Sequence, residues 1–391
     1  MAGATEISML QNNMAAKPNI LCFGRFYDDI PGGMQRHVEN LFVALADKVN
    51  FVHLVPSRDW KSARFSLHGV PVVRMPSLNL DGSVTITPGL LYEAARLHRQ
   101  YHFDVVHLHF PDPMSHLAAM CLPAEIPRII TWHADIIRQK KLFMLYRPFL
   151  LRALHKAAAI VVATPNHISS SKELSQIEKI RKCHIIPYGF DLRPFLEPHS
   201  DTVNMQGTFP GKRIFALGRH VYYKGFNVLI QAMQQVRQDA QLILGGTGPL
   251  TEQWQEIAAL CGVTDRVHFI GHIPEEQLPA YYQACDIFCL PSVSKAEAFG
   301  IVQVEAMACG KPVVSTTLGN GVDYVNQHGV TGMTVPPNDA DALAEKINQL
   351  LADDPLRQKL GEQARNRVTE EFSLAKMGTS TLALYNDVLN A

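Results

Sequence analysis

Two glutamates, Glu297 and Glu305, stand eight positions apart in the stretch Lys295-Ala296-Glu297-Ala298-Phe299-Gly300-Ile301-Val302-Gln303-Val304-Glu305. Gly300 permits a tight turn and the close approach of a ligand to the backbone. The run 301–310 reads as a short helix closed by Gly310. Glu297 then lies in the loop ahead of that helix and Glu305 two turns into it, with the first N–H groups of the helix between them. Such N–H groups attract phosphate and hydroxyl oxygens. The arrangement fits a ligand with a phosphate and several hydroxyls, such as a sugar nucleotide. The spacing alone also fits a loop glutamate followed by a surface glutamate, and the companion motifs decide between the two.

Gly218-Arg219-His220 is followed by Lys224-Gly225. An arginine fork and a lysine point charge beside a helix start suit a diphosphate. Gly245-Gly246-Thr247-Gly248-Pro249-Leu250 is a strand-to-helix turn whose Pro249 and Leu250 break the dinucleotide fingerprint spacing. A purely structural turn fits it equally. Pro31-Gly32-Gly33-Met34 opens the first helix and offers amides to a phosphate or acceptor. His133 closes a strand in Thr131-Trp132-His133-Ala134-Asp135, and His107 and His109 alternate along another strand. A lining role and a packing role are both open for these two.

The elements that must position these residues fall into two alternating α/β halves. In the first, strands are expected at 18–23, 50–55, 71–75, 105–108, 128–133, 159–163 and 183–187, and helices at 34–48, 90–101 and 136–157. In the second, strands are expected at 213–217, 241–244, 267–270, 286–290 and 312–315, with helices at 226–236, 250–260, 275–284, 302–309, 340–352 and 355–370. Residues 318–325 read as a close-packed loop. Apolar strands alternating with helices imply parallel sheets covered on both faces. Ligands of such sheets sit at the carboxyl ends of the strands, where every motif above falls.

With 391 residues the chain is long enough for two domains. Lys plus Arg and Asp plus Glu both number 36, so there is no bulk basic field and no nucleic-acid partner is expected. No apolar run approaches the roughly 20 residues of a membrane span, and no signal peptide is read at the N-terminus. Seven cysteines scattered in apolar segments suit a reducing, cytoplasmic setting. In 138–156 basic residues interleave with large apolar ones, a pattern that fits either a helix covering the sheet or contact with the inner membrane.

The element around Glu297 and Glu305 resembles the E-x7-E motif of retaining glycosyltransferases of the GT-B fold, in the large family 4 group. The resemblance covers residues 19–391. It implies an α/β fold of two Rossmann-like domains with parallel sheets facing a central cleft. The expected division is a disordered leader at 1–17, an acceptor domain at 18–195, a linker at 196–212, a nucleotide-sugar donor domain at 213–372, and a last helix, 373–391, that crosses back to the first domain. In the family pattern Glu297 lies beside the donor sugar and Glu305 binds the ribose. Arg219 and Lys224 hold the diphosphate, and backbone at Phe299, Gly300 and Ile301 holds sugar hydroxyls. Gly33, Gly246 and Gly248 line the donor site. His133 lies near the 6-hydroxyl and the reacting centre, with His109 and Asp135 on the acceptor side. Met34 and the Asn320-Gly321, Asp323 group depart from the commoner family forms, and Gly-x-Gly-Val variants of that loop occur in bacterial polysaccharide mannosyltransferases.

The expected activity is retaining transfer of a hexose, with mannose from GDP-mannose as the leading choice. The acceptor is expected to be a lipid-linked or oligosaccharide hydroxyl in O-antigen, lipopolysaccharide or exopolysaccharide biosynthesis, at the cytoplasmic face of the membrane. No convincing Asp-x-Asp motif is present, so neither metal nor cofactor is expected. The alternatives are a UDP-sugar-dependent glucosyl, galactosyl or N-acetylhexosaminyl transferase, a GT-B-like nucleotide-sugar epimerase, and a catalytically silent sugar- or nucleotide-binding module. Glu297→Ala is expected to abolish transfer and leave the fold intact.

Overall fold

A computed structural model describes residues 17–24, 33–57, 60–80, 84–134, 140–177 and 182–391. The expected leader therefore lies almost wholly outside the described residues, as do Pro31, Gly32 and Asp135. The chain divides into two compact units, one of 1–163, 171–186 and 377–391, the other of 164–170 and 187–376.

The first unit is built on strands β1 (Asn19–Phe23), β2 (Asn50–Pro56), β3 (Ala63–Leu67) and β4 (Val70–Met75). A small hairpin, β5 (Leu78–Leu80) and β6 (Val84–Ile86), stands apart. The sheet continues with β7 (Val105–Phe110), β8 (Arg128–Trp132), β9 (Ala159–Val162) and β10 (Cys183–Ile185). Its spatial order is β10-β9-β8-β7-β1-β2-β4-β3. The pairings are parallel, as expected, except for β3 with β4, an antiparallel strand added at one edge. The reason is local. The His68-Gly69 turn takes both residues to positive φ, 49° and 80°, and folds the chain straight back. Strands such as β9, buried along its whole length, read as continuous apolar runs, as expected where helices cover both faces.

The second unit holds β11 (Lys212–Leu217), β12 (Ala240–Gly245), β13 (Val267–Gly271), β14 (Ile287–Leu290), β15 (Val313–Thr316) and β16 (Gly332–Val335). The order is β13-β12-β11-β14-β15-β16, with every pairing parallel. Alternate residues enter two cores. Ile214 and Ala216 join Phe226, Leu229 and Trp254 on one face, whereas Phe215 joins Tyr282, Phe288 and Phe299 on the other. Burying a phenylalanine of this kind contributes about 1.5–3 kcal/mol.

The segment expected as a linker is largely structured: Thr202–Thr208 is helical, and His199 and Thr202 bond to Gln283 at the end of helix Leu278–Ala284. The expected loop at 318–325 contains a short helix, Gly321–Val325. Asn320 caps it, accepting from the Val322 N–H at 3.0 Å, while the Asp323 carboxylate reaches back to the Asn320 N–H at 3.2 Å. The last helix, Leu374–Leu389, has Met377 onward in the first unit. A Cβ on Gly378 would stand 3.0 Å from that of Ala44 in helix Gly33–Leu45, so the two helices approach closely.

Candidate active site

In the second sheet β12 lies on one side of β11 and β14 on the other. The loops leaving β11 and β14 therefore diverge at the point where strand order reverses, the usual ligand position of such sheets. After β11 the chain passes Gly218-Arg219-His220, makes a tight turn at Tyr222–Lys224, and enters helix Phe226–Ala232 through Gly225 at φ 66°. A Cβ on Gly225 would fall 2.1 Å from the Pro291 carbonyl oxygen, and the Val293 N–H donates to the Tyr223 carbonyl at 2.8 Å. The two loops are thus joined backbone to backbone.

That junction brings Lys224 to Glu297. The Lys224 Nζ lies 2.6 Å from Glu297 Oε2, with the two side chains only 10% and 11% exposed. Ser292 Oγ donates to the same oxygen at 3.1 Å, and Asn320 Nδ2 donates to the Glu297 carbonyl at 2.6 Å. Asn320 is held in turn by Asn166, whose Nδ2 donates to the Asn320 carbonyl at 2.8 Å. Neither Lys224 nor Glu297 is the solvated loop residue that sequence spacing alone allows. The expectation that Glu297 contributes little to the fold is corrected accordingly.

Past Glu297 the chain turns at Gly300, φ 71°, into helix Ile301–Ala308, which ends before Gly310 at φ 69°. Gly300 caps this helix with no side chain, leaving its first amides to other partners. Its φ of 71° is a conformation that residues with a side chain rarely adopt, which favours glycine here. The Phe299 ring is buried against Tyr188, Phe190 and Phe372, which leaves its backbone as the part able to meet a ligand. Glu305, half-buried, accepts from the Tyr282 hydroxyl at 2.6 Å. Burial and the Glu305 carboxylate raise the Tyr282 hydroxyl well above its ordinary range, so it donates at any physiological pH.

Arg219 is exposed at the end of β11, and Lys295 is exposed near Gly319. Gly246 and Gly248 serve a packing purpose. A Cβ on either would press within 2.0 Å and 2.5 Å of the Gly218 and His220 carbonyl oxygens. The turn they form is held to the β11 loop by the His220 N–H donating to Thr247 at 2.9 Å. Asp323 accepts from the N–H groups of Leu318, Gly319 and Asn320, so the loop after β15 wraps one carboxylate.

The remaining candidates belong to the first unit. Gly33 opens helix Gly33–Leu45, and a Cβ there would meet no atom of the described residues within 4 Å. His133, just past β8, lies 3.0 Å through Nε2 from His109 Nδ1 at the end of β7. His37, from helix Gly33–Leu45, stands edge-on to both, with ring centroids 5.5 Å from His109 and 5.1 Å from His133. His107 stacks on His109 at 4.6 Å and is fixed by Tyr385 and Thr131, each at 2.7 Å. Burial lowers His37 to about 4 and His107 to about 3. His109 falls well below its ordinary value through burial and its histidine neighbours. His37, His107 and His109 are therefore neutral at pH 7.

Sequence reasoning did not single out Ser292, Tyr282, Asn166, Lys295 or His37. Of these, His37 had a readable signal: a polar residue one position before Val38 on the apolar face of an amphipathic helix. Ser292 bonds to Glu297 five residues on, within a loop that has no period to detect, and Tyr282 and Asn166 act through contacts between distant segments, which no local pattern shows.

The chain is similar in two blocks to known family profiles, glycosyl transferases group 1 over residues 208–367 and glycosyltransferase family 4 over residues 31–193. It is 35% identical over 271 residues to D-rhamnosyltransferase WbpZ of Pseudomonas aeruginosa, covering 69% of this chain and 70% of that protein. It is 29% identical over 289 residues to O-antigen chain mannosyltransferase C of Escherichia coli, covering 74% and 76%. Among solved structures, sucrose-phosphate synthase from Thermosynechococcus elongatus matches with a TM-score of 0.73 at 24% identity, over 96% of this chain and 100% of that one. Anabaena HepE in complex with UDP matches with a TM-score of 0.75 at 20% identity, over 94% and 100%. By its sequence relatives and its two parallel-sheet α/β units, the chain is a member of the family 4 glycosyltransferases, enzymes of the GT-B fold.

Proposed function

We propose that the protein transfers a manno-configured hexose, with retention of configuration, from a GDP-sugar to a hydroxyl of a growing surface polysaccharide. One observation carries the chemical part: the Lys224 ammonium and the Glu297 carboxylate meet at 2.6 Å. A cation for the leaving phosphate and an anion for the sugar ring thus stand one bond's breadth apart, where charge separates as the anomeric C–O bond breaks. Negative charge growing on the diphosphate is met by Lys224 and Arg219, and positive charge on the ring by Glu297. Amides at Phe299, Gly300 and Ile301 hold sugar hydroxyls, and Glu305 holds the ribose. The acceptor attacks from the face that the diphosphate leaves, and its proton passes to the departing phosphate oxygen. These two cations supply the charge stabilisation that a divalent metal gives in other transferases, so transfer runs without a metal cofactor.

The donor reading rests on the relatives. One is named a D-rhamnosyltransferase and another a mannosyltransferase of the O-antigen chain. D-Rhamnose is 6-deoxy-D-mannose, so the two donors differ only at C6, beside the position assigned to His133. The acceptor is lipid-linked. In helix Lys140–Lys156, Met144 and Leu145 are 70% and 74% exposed and Phe149 also faces solvent, with exposed Arg152 and Lys156 along the same helix. Such a surface suits the anionic face of a membrane. Among the described residues no helix is long and apolar enough to cross one.

The test is transfer from radiolabelled GDP-mannose, GDP-D-rhamnose, UDP-glucose and UDP-N-acetylglucosamine to a lipid-linked oligosaccharide fraction. Label entering lipid from a GDP-sugar alone supports the reading. Transfer from UDP-sugars alone moves the assignment to that class. Epimerised donor without transfer moves it to an epimerase.

A further inference from the structure

We propose that His37, His109 and His133 form a binding site for a divalent transition-metal ion of the zinc class, one ring nitrogen from each histidine. The three side chains come from three separately anchored places, helix Gly33–Leu45, the end of β7 and the residue after β8. Among the described residues they are the one set of three metal-ligating side chains whose donor atoms all fall within 4.8 Å of one another. One pair, His109 Nδ1 and His133 Nε2, is already at 3.0 Å. A tetrahedral zinc ion with Zn–N bonds of about 2.0–2.1 Å needs its nitrogens about 3.3 Å apart. The third ring therefore has at most about 1.5 Å to close, within reach of a side-chain rotation.

The chemistry of the donors agrees. All three are buried, and burial holds His37 and His109 in the neutral form that has a lone pair to give. His109 Nε2 is buried without a hydrogen-bond partner, so in either tautomer one nitrogen of that ring is left unmet. With the ion on Nδ1, the nitrogen that faces His133, the Nε2 atom would carry the ring proton. His107, although stacked on His109, is excluded as a ligand because Tyr385 and Thr131 take both its nitrogens. Three protein nitrogens leave the fourth position of a tetrahedral ion open. The ion is not a cofactor of the transfer described above. If the role given there to His133 holds, an ion on that ring withdraws it from the donor sugar.

The test uses the full chain, freed of metal with a chelator and then titrated with Co²⁺. The expected result is uptake of one equivalent, with the intense visible bands of four-coordinate cobalt, and displacement by one equivalent of Zn²⁺. His37→Gln and His109→Gln, each confirmed folded by circular dichroism, should lose the bands, while His328→Gln on an exposed histidine should keep them. Should one core variant fail to fold, the other and His133→Gln decide. Failure of the folded wild-type chain to take up either ion in stoichiometric amount overturns the proposal, as does unchanged uptake in the folded histidine variants. None of these readouts depends on sugar transfer.

Discussion

Removing the Glu297 carboxylate has two separable consequences, and the structure gives the size of one. Glu297→Ala leaves the Lys224 ammonium, 10% exposed, without its partner 2.6 Å away, and takes the acceptor from Ser292 Oγ. Breaking one side of a buried ion pair costs about 3–5 kcal/mol, because the remaining charge stays desolvated. Replacing both partners by apolar residues of similar size costs far less by the same reasoning, since no orphan charge remains. Glu297→Ala is therefore expected to lower the unfolding free energy of the second unit by about 3–5 kcal/mol, and Lys224→Met by a comparable amount. The double variant Lys224→Met, Glu297→Leu should recover most of that loss. Transfer should be abolished in all three. The assay is urea unfolding followed by tryptophan fluorescence, with buried Trp254 reporting from the same unit. A Glu297→Ala protein within about 0.5 kcal/mol of wild type, with no coupling in the double-variant cycle, would refute the buried-pair argument.

Further expectations follow from neighbouring features. His37 and His53 are held down to about 4 and His107 to about 3 by burial, so in mildly acidic solution only the unfolded chain takes up these protons. Stability contributed by these rings is complete above about pH 6.5 and is lost as pH falls toward 4, by about 2 kcal/mol per ring at pH 5; a urea midpoint unchanged between pH 7 and 5 would contradict this. Gly225→Ala should destabilise the second unit by at least about 2 kcal/mol, since the residue sits at φ 66° and its new Cβ would meet the Pro291 carbonyl at 2.1 Å. Thermal melting measures it, and a wild-type melting temperature would show that the two loops can separate freely. Tyr282→Phe, which removes the 2.6 Å hydrogen bond to Glu305, should weaken nucleotide binding about five- to tenfold, read by calorimetry. Equal affinities would mean that Tyr282 does not orient that carboxylate.

Much of this was readable before any coordinates. The alternation of apolar runs with helical periodicity marked the two α/β units, and glycines at strand ends marked the turns, because parallel strands and tight turns leave local signatures. Gly300 and the helix after it follow the expected course. The same signals failed where partners are distant in sequence. Lys224 and Glu297 are 73 residues apart, and nothing local says that Gly225 packs on Pro291 and draws them together. The Gly321–Val325 helix was missed because a five-residue helix has no period to detect, though Asn320 and Asp323 are a cap and its reciprocal partner. The antiparallel strand Ala63–Leu67 was missed because most of its side chains face solvent on an edge.

The central claim is that the ends of β11 and β14 hold a nucleoside diphosphate, with Arg219 on the phosphates and Glu305 on the ribose. Calorimetric titration of the full chain with GDP and UDP, in wild type, Arg219→Ala and Glu305→Ala, tests it directly. The account predicts that GDP binds the wild type more tightly than UDP and loses at least about tenfold in affinity, about 1.4 kcal/mol, in each variant. No binding of either nucleotide to the folded wild type, or binding undisturbed by both substitutions, would contradict it.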